Sequence, residues 1–263
     1  MPEVLYGLDI SDYAHPDDMA AINALKNVGG IDQLLTKFGD KANQMLKRSV
    51  ALGYYVRLTE KNSPEIFKII YDVCKILNYD KIPEVYSKRL HSIDIEVSGA
   101  EKPTMVIPDF LINNYEEKFL YFAIGRAISK LKSDYLKFYT IARTTIEIVE
   151  FAHSLPDVIN VLFARWMQKA ELTADRGGLL ACQDCKIAIR FLMNYAGMPV
   201  EFTENISIPE YISAYKTNDK IVNACRNLQT LTNCTGFNND RIVELFNWYA
   251  NGDYGDILDE YMF

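Results

Sequence analysis

The chain has 263 residues, nearly half of them apolar, including 17 tyrosines and 13 phenylalanines. A chain of that length and composition can bury a sizeable core, which excludes disorder over most of its length. Its formal net charge of −7 argues against nucleic acid or an anionic membrane as the main partner, while leaving room for a local basic patch.

No apolar run approaches the roughly 18 residues of a membrane span, and Met1-Pro2-Glu3-Val4 lacks the basic and apolar regions of a secretory signal. The expected location is the cytoplasm, with no membrane span. Cys74, Cys182, Cys185, Cys225 and Cys234 are odd in number and lack a disulfide-framework spacing, so reduced thiols are expected.

In chain order, residues 1–12 read as a short peripheral opening. From His15-Pro16-Asp17-Asp18 the pattern is helical, with Met19, Ile22, Ala24 and Leu25 at helical spacing until Gly29-Gly30. Helices are predicted over 31–38 and 42–50, and a strand over 54–58. Ser63-Pro64-Glu65 opens another helix, with serine as N-cap and Ile66, Ile69, Ile70, Val73 and Leu77 inward. Three β-prone runs, 83–86, 93–97 and 104–108, make a small sheet. Helices then follow over 116–132, 135–153 and 156–181, with a break at Leu155-Pro156. One more runs from Asp184 to a cap at Gly197. Residues 199–211 read as a loop, followed by helices over 221–231 and 240–249.

This is a predominantly helical α+β pattern with a minor sheet, read as a single domain over 1–263. Its parts are a helical N-terminal region (13–80), the sheet region (83–108), the central helices (116–181) and a helical C-terminal region (184–263).

The most informative stretch is Glu171-Leu172-Thr173-Ala174-Asp175-Arg176-Gly177-Gly178-Leu179-Leu180-Ala181. Carboxylates at i and i+4 share a helix face. An acidic pair on a helix is most often a solvated face, but this one follows the apolar run Val161, Leu162, Phe163 and Trp166. If buried, the pair needs a metal, a cation or hydrogen-bond donors. Gly177-Gly178 costs about 1 kcal/mol per glycine in a helix, which points to another backbone packed closely against it.

Several motifs together resemble one family. They are His15-Pro16-Asp17-Asp18 with Ala24-Leu25-Lys26, Pro83-Glu84-Val85-Tyr86, the stretch from Glu171 to Ala181 with Cys182-Gln183-Asp184, and Arg241 to Trp248 followed by Gly252-Asp253-Tyr254. The chain resembles the soluble HtpX and CAAX-prenyl-endopeptidase-like zinc metallopeptidases, gluzincins of peptidase family forty-eight. The likeness spans nearly the whole chain, and Glu171 to Arg176 is its most specific part. It implies a zincin-like fold with Glu171 as third zinc ligand and Asp175 as the carboxylate orienting a ligand histidine.

Such an enzyme needs an HExxH helix, two histidines for Zn²⁺ and a glutamate as general base. This sequence has no HExxH. The segment whose flanks match the family's active-site helix is Phe122-Ala123-Ile124-Gly125-Arg126-Ala127-Ile128-Ser129-Lys130-Leu131-Lys132-Ser133. In that register Arg126 and Lys130 replace the histidines and Ala127 the general base. Neither a single Glu150/His153 pair nor Cys182-x-x-Cys185 makes a convincing substitute metal or redox site. We expect Arg126 and Lys130 to neutralise Glu171 and Asp175, as Arg126–Asp175 and Lys130–Glu171 or the reverse. The alternative is that both cations project into solvent.

The resulting expectation is a catalytically inactive homologue, a pseudopeptidase, with no zinc or other cofactor and no catalytic residue. It would bind a protein or extended peptide, for example by strand addition at 93–97 and 104–107. One alternative is an enzyme with a rebuilt weak metal site or other chemistry in the old cleft. Another is a subunit of a homo- or hetero-oligomer that uses an exposed aromatic tail at Tyr254, Tyr261, Met262 and Phe263.

Overall fold

In the computed structural model, residues 2–29, 41–99, 102–133, 138, 157–215 and 238–262 are described. The N-terminal segment is not peripheral: Leu5 and Leu8 are fully buried. Leu5 N donates to Ile76 O (3.3 Å) and Tyr6 N to Tyr261 O (3.0 Å), tying the segment to two distant parts of the chain. Two leucines in a short segment carry too little periodicity to announce their burial. A capping box at Asp9 and Asp12 starts helix α1 (Ile10–Tyr13). Helix α2 (Pro16–Lys26) follows, with proline in its first turn and His15 as N-cap.

Helix α3 (Lys41–Tyr54) leads into strand β1 (Val56–Leu58), and helix α4 (Pro64–Ile76) follows. Ser63 precedes α4, but its side chain makes no capping hydrogen bond. Proline alone pre-sets the first turn there. Strands β2 (Glu84–Lys88), β3 (Glu96–Ser98) and β4 (Thr104–Pro108) join β1 in a four-stranded sheet of order β1-β2-β4-β3. β1 is antiparallel to β2, β2 parallel to β4 (Glu84 opposite Thr104), and β3 antiparallel to β4 (Glu96 opposite Val106). Alternation splits the faces: Val85, Val97, Met105 and Ile107 join the main core. Tyr86 and Val106 instead form a second cluster with Ala51 and the partly buried Tyr55.

Helix α5 (Asp109–Asn114) precedes α6 (Glu117–Lys132) and α7 (Asp157–Cys182). Every residue from Phe119 to Leu131 of α6 is buried, as expected of a helix surrounded on all sides. α7 packs along α6 because glycines face the contact. A Cβ on Gly125 would come within 2.4 Å of Ala181 Cβ, and one on Gly177 within 2.5 Å of Ser129 Cβ. The close backbone approach suggested by Gly177-Gly178 is therefore present, and its partner is α6.

After α7 come α8 (Cys185–Tyr195), α9 (Val200–Thr203), α10 (Ile208–Tyr215), α11 (Asn238–Ala250) and α12 (Asp253–Tyr261). Asp184 caps α8 by accepting from Ile187 N (3.1 Å). Gln183 pins the N-terminal segment: Glu3 N donates to its Oε1 (2.7 Å), and its Nε2 donates to Glu3 O (2.8 Å). Two expectations fail here. The stretch 199–211 holds α9 and the start of α10, short helices begun at prolines that read as loop signals. Tyr254 is buried, its ring 5.6 Å from that of Trp248, so it offers no exposed aromatic surface. The helices expected over 31–38, 135–153 and 221–231, and Phe263, lie outside the described residues, apart from the buried Phe138 against Trp166. The architecture is predominantly helical α+β with a small sheet.

Candidate functional site

The i, i+4 pairs on α6 and α7 face one another. Gly178 makes this contact close, since a Cβ there would meet Arg126 Cγ at 2.7 Å; the stem of Arg126 lies across the glycine. From that position Arg126 Nε donates to Asp175 Oδ1 (2.7 Å), Nη2 to Glu171 Oε2, and Nη1 to Asp94 Oδ1 (3.1 Å). Lys130 Nζ pairs with Glu171 Oε1 at 2.7 Å and lies 3.9 Å from Asp94 Oδ1. The four residues singled out from the sequence thus meet, with Arg126 spanning both α7 carboxylates. Ala127 is buried beside them and carries no polar group.

Two further charged residues were not anticipated. Arg241, on α11, grips Asp175 bidentately: Nε donates to Oδ2 (2.8 Å) and Nη2 to Oδ1 (2.7 Å), a geometry that suits guanidinium and carboxylate. Asp94, just before β3, supplies the third carboxylate. A signal for Arg241 was available: Arg241, Leu245 and Trp248 share one buried stripe of α11, so the arginine occupies a core position. Asp94 had none, because the alternation Ile93-Asp94-Ile95 places it on the polar face. Tyr195 closes the cluster, its ring centroid 5.6 Å from the Arg126 guanidinium and 4.9 Å from that of Arg241.

The set therefore holds three cations (Arg126, Lys130, Arg241) and three carboxylates (Asp94, Glu171, Asp175). It is almost dry: Arg126 and Asp175 are 2% and 1% exposed, and Asp94 is the wettest member, with 22% of its side chain exposed. Burial would push the Glu171 carboxyl up, but Lys130, Arg126 and Arg241 outweigh it and hold the group well below the usual carboxylate range. Burial likewise opposes the Arg126 charge, and Asp175, Glu171 and Asp94 more than restore it.

Beside this cluster a second polar chain ties α2 to α7. His15 N donates to Thr173 Oγ1 (3.0 Å), which donates to Asp18 Oδ2 (2.6 Å). Among the described residues Asp18 Oδ1 has no hydrogen-bond partner, and burial raises the carboxyl's pKa against the hydrogen bond of Thr173. A cavity of about 20 Å³ lies against Asp18, Lys130 and Thr173, room for about one water.

The other candidate ligands are scattered. His15 accepts from Asp17 N through Nδ1 (3.1 Å) and approaches Glu244 through Nε2 (3.5 Å). His91 stacks against Phe110, centroids 5.3 Å apart. Burial pushes the Cys182 and Cys185 thiols up to about 12, which leaves them protonated at neutral pH. Glu150, His153, Cys225 and Cys234 lie outside the described residues. Among the described residues, no group of three or more His, Cys, Asp or Glu is placed to hold a metal ion, and no helix is long and apolar enough to cross a membrane. On the far side of Tyr195, a groove of about 560 Å³ is lined by Ile93, Phe110, Tyr115, Asn194 and Met198.

No family model matches the sequence, and no solved structure matches it. Among curated proteins the chain is similar to the plastoglobule-localized metallopeptidase 48, chloroplastic, of Arabidopsis thaliana. The two are 22% identical over 271 residues, covering 98% of this chain and 78% of that protein. The chain is thus a distant homologue of a metallopeptidase, and that likeness supports its origin in peptidase family forty-eight.

Proposed function

We propose that this protein is a non-hydrolytic member of the metallopeptidase lineage, a pseudopeptidase whose zinc site has become an ion cluster and whose fold, one zincin-like domain over 1–263, serves binding. The observation that carries this reading is the engagement of Glu171 and Asp175 by Arg126, Lys130 and Arg241.

The residues present do not fit zinc. The ion takes thiolate, imidazole or carboxylate donors, whereas guanidinium and ammonium groups offer only N–H donors. Both Glu171 oxygens are already engaged, Oε1 by Lys130 and Oε2 by Arg126. A dication would also join a set whose charges already cancel. Ala127 can neither accept nor donate a proton, so this helix supplies no general base.

Binding is assigned to the side of β3 that no described strand pairs, because β4, the other expected edge, is flanked by β2 and β3. β3 is an edge strand of the sheet and lies next to the cluster through Asp94. An extended peptide can extend such an edge with main-chain hydrogen bonds. In this reading the protein acts on a protein or peptide partner, alone or within an oligomer, in the cytoplasm.

The test is zinc content and casein or peptide cleavage measured on one purified sample, with Glu171→Gln as control. We expect no stoichiometric zinc and no cleavage above buffer. Zinc-dependent cleavage that a chelator removes would overturn the reading. A peptide-array screen tests the edge: retained peptides should change with Glu96→Lys, and retention indifferent to that change would move binding elsewhere.

A further inference from the structure

The segment that forms the β3 edge also builds the wall of a groove. Burial alternates along it, with Ile93, Ile95 and Val97 inward and Ser92, Asp94 and Glu96 more open, the period of one extended chain. Its last part is β3 (Glu96–Ser98). Its first part, His91 to Ile93, lines the groove of about 560 Å³ beside Tyr195. Ile93 precedes Glu96 by about three residues, or about 10 Å of extended chain. A peptide that pairs with β3 and continues along the segment toward Ser92 is therefore carried over the groove.

The chemistry of the groove selects what it accepts. The chain carries a net charge of −7, yet among the described residues the lining holds no carboxylate, lysine or arginine. Its hydrogen-bonding side chains are largely occupied within the wall. Tyr115 Oη donates to Asn194 Oδ1, Asn194 Nδ2 donates to Met198 O (2.7 Å), and Ser92 Oγ accepts from Asp94 N (3.1 Å). A charged side chain entering there gives up hydration and finds no counter-charge. An apolar one meets rings: the centroids of His91 and Phe110 are 5.3 Å apart, those of Phe110 and Tyr115 6.0 Å, spacings at which a further ring packs favourably. Met198 is unbranched and half-buried, so it adapts to the shape of what enters. A second groove, of about 410 Å³, is of the opposite kind, lined by Lys68, Glu117, Lys118 and Asp184.

We propose that the neutral groove is a specificity pocket for the bound peptide. It takes a large apolar side chain, an aromatic ring above all, about three residues beyond the stretch paired with β3. This inference rests on the assignment of binding to that edge and adds to it the class of sequence the protein selects.

The experiment presents the full chain with immobilised decapeptide pools, randomised except at a fixed position that is scanned along the peptide as Phe, Ala, Lys or Asp. Pools with Phe fixed toward one end should be retained at least about tenfold better than those with Ala, and pools with Lys or Asp there less well than Ala. His91→Glu, at an exposed residue, adds a carboxylate to the lining. It should lower the Phe-to-Ala ratio several-fold and leave the thermal transition in place, separating lost selection from lost folding. Glu96→Lys should change retention through the paired positions and keep the preference for Phe. Pools that respond to Glu96→Lys without preferring Phe, or with a preference untouched by His91→Glu, would overturn the pocket and leave the edge standing. Retention indifferent to Glu96→Lys, or absent for every pool, would remove the edge and this inference with it.

Discussion

Two sets of charge pairs in this molecule have the same bond lengths and opposite surroundings. On the outer face of the sheet, Arg48 grips Glu84 with contacts of 2.8 and 2.6 Å. Between α6, α7 and α11, Arg241 grips Asp175 at 2.8 and 2.7 Å. The Arg48 and Glu84 side chains are 36% and 24% exposed, those of Arg241 and Asp175 only 2% and 1%. Geometry therefore does not separate the two; access of water does. At the surface, solvent and salt replace either partner at little cost. In the interior, removing one partner strands the others without solvation, so the same contact becomes a condition for the packing of three helices.

Asp175→Ala is the sharpest test of that contrast, because it leaves Arg126 and Arg241 facing one another. It should lower the unfolding free energy in urea by about 3 to 5 kcal/mol. A loss close to that of a surface variant would mean that water reaches the cluster. Gly125→Ala, which forces a methyl toward Ala181, should cost about 1 to 3 kcal/mol in the same assay by prying α6 from α7.

A double-mutant cycle sharpens the comparison further. Removing both charges, as Lys130→Met with Glu171→Gln, should destabilise less than the sum of the two single changes. Additive losses would show that the two side chains act separately. At the other end of the scale, Glu84→Gln should change stability several-fold less than Asp175→Ala, and the change should shrink as salt is added.

Acid titration distinguishes two buried carboxyls by sign. Glu171 is held below its ordinary value of 4.5, so its contribution is present above that pH and is lost as pH falls through the depressed folded value. Asp18 is raised from 3.8. Its contribution is therefore complete below about 3.8 and is lost as pH rises through the folded value. Asp18→Asn should thus gain stability relative to the parent at neutral pH and lose that gain in acid, followed by thermal melts at several pH values. A gain that grows in acid would contradict the assignment.

Much of this was legible before any coordinates. Among the described residues, the long helices α6 and α7 were readable from the pattern and its breaks, and the glycines of α7 announced a close neighbour because a missing side chain in a helix is costly unless a backbone uses the space. The short elements were less legible. Leu5 and Leu8 sit in a segment too brief to have a period, and Pro199, which reads as a breaker, serves as the first capping position of α9.

For the candidate site, local spacing was enough to put Glu171 with Asp175 on one face and Arg126 with Lys130 on another, since i, i+4 geometry depends only on the helix. Which faces met, and which residues joined them from afar, was decided by tertiary structure. Asp94 lies 32 residues from Arg126 and Arg241 lies 66 from Asp175, and no local pattern links positions so distant. Hydrogen-bond saturation, not charge balance, supplies the reason they converge. With only Arg126 and Lys130 opposite Glu171 and Asp175, an α6–α7 pair would be balanced but poorly saturated, its remaining carboxylate and guanidinium positions without partners. The fold fills them with one more anion and one more cation, because a buried charge is tolerated only when its hydrogen-bonding positions are filled.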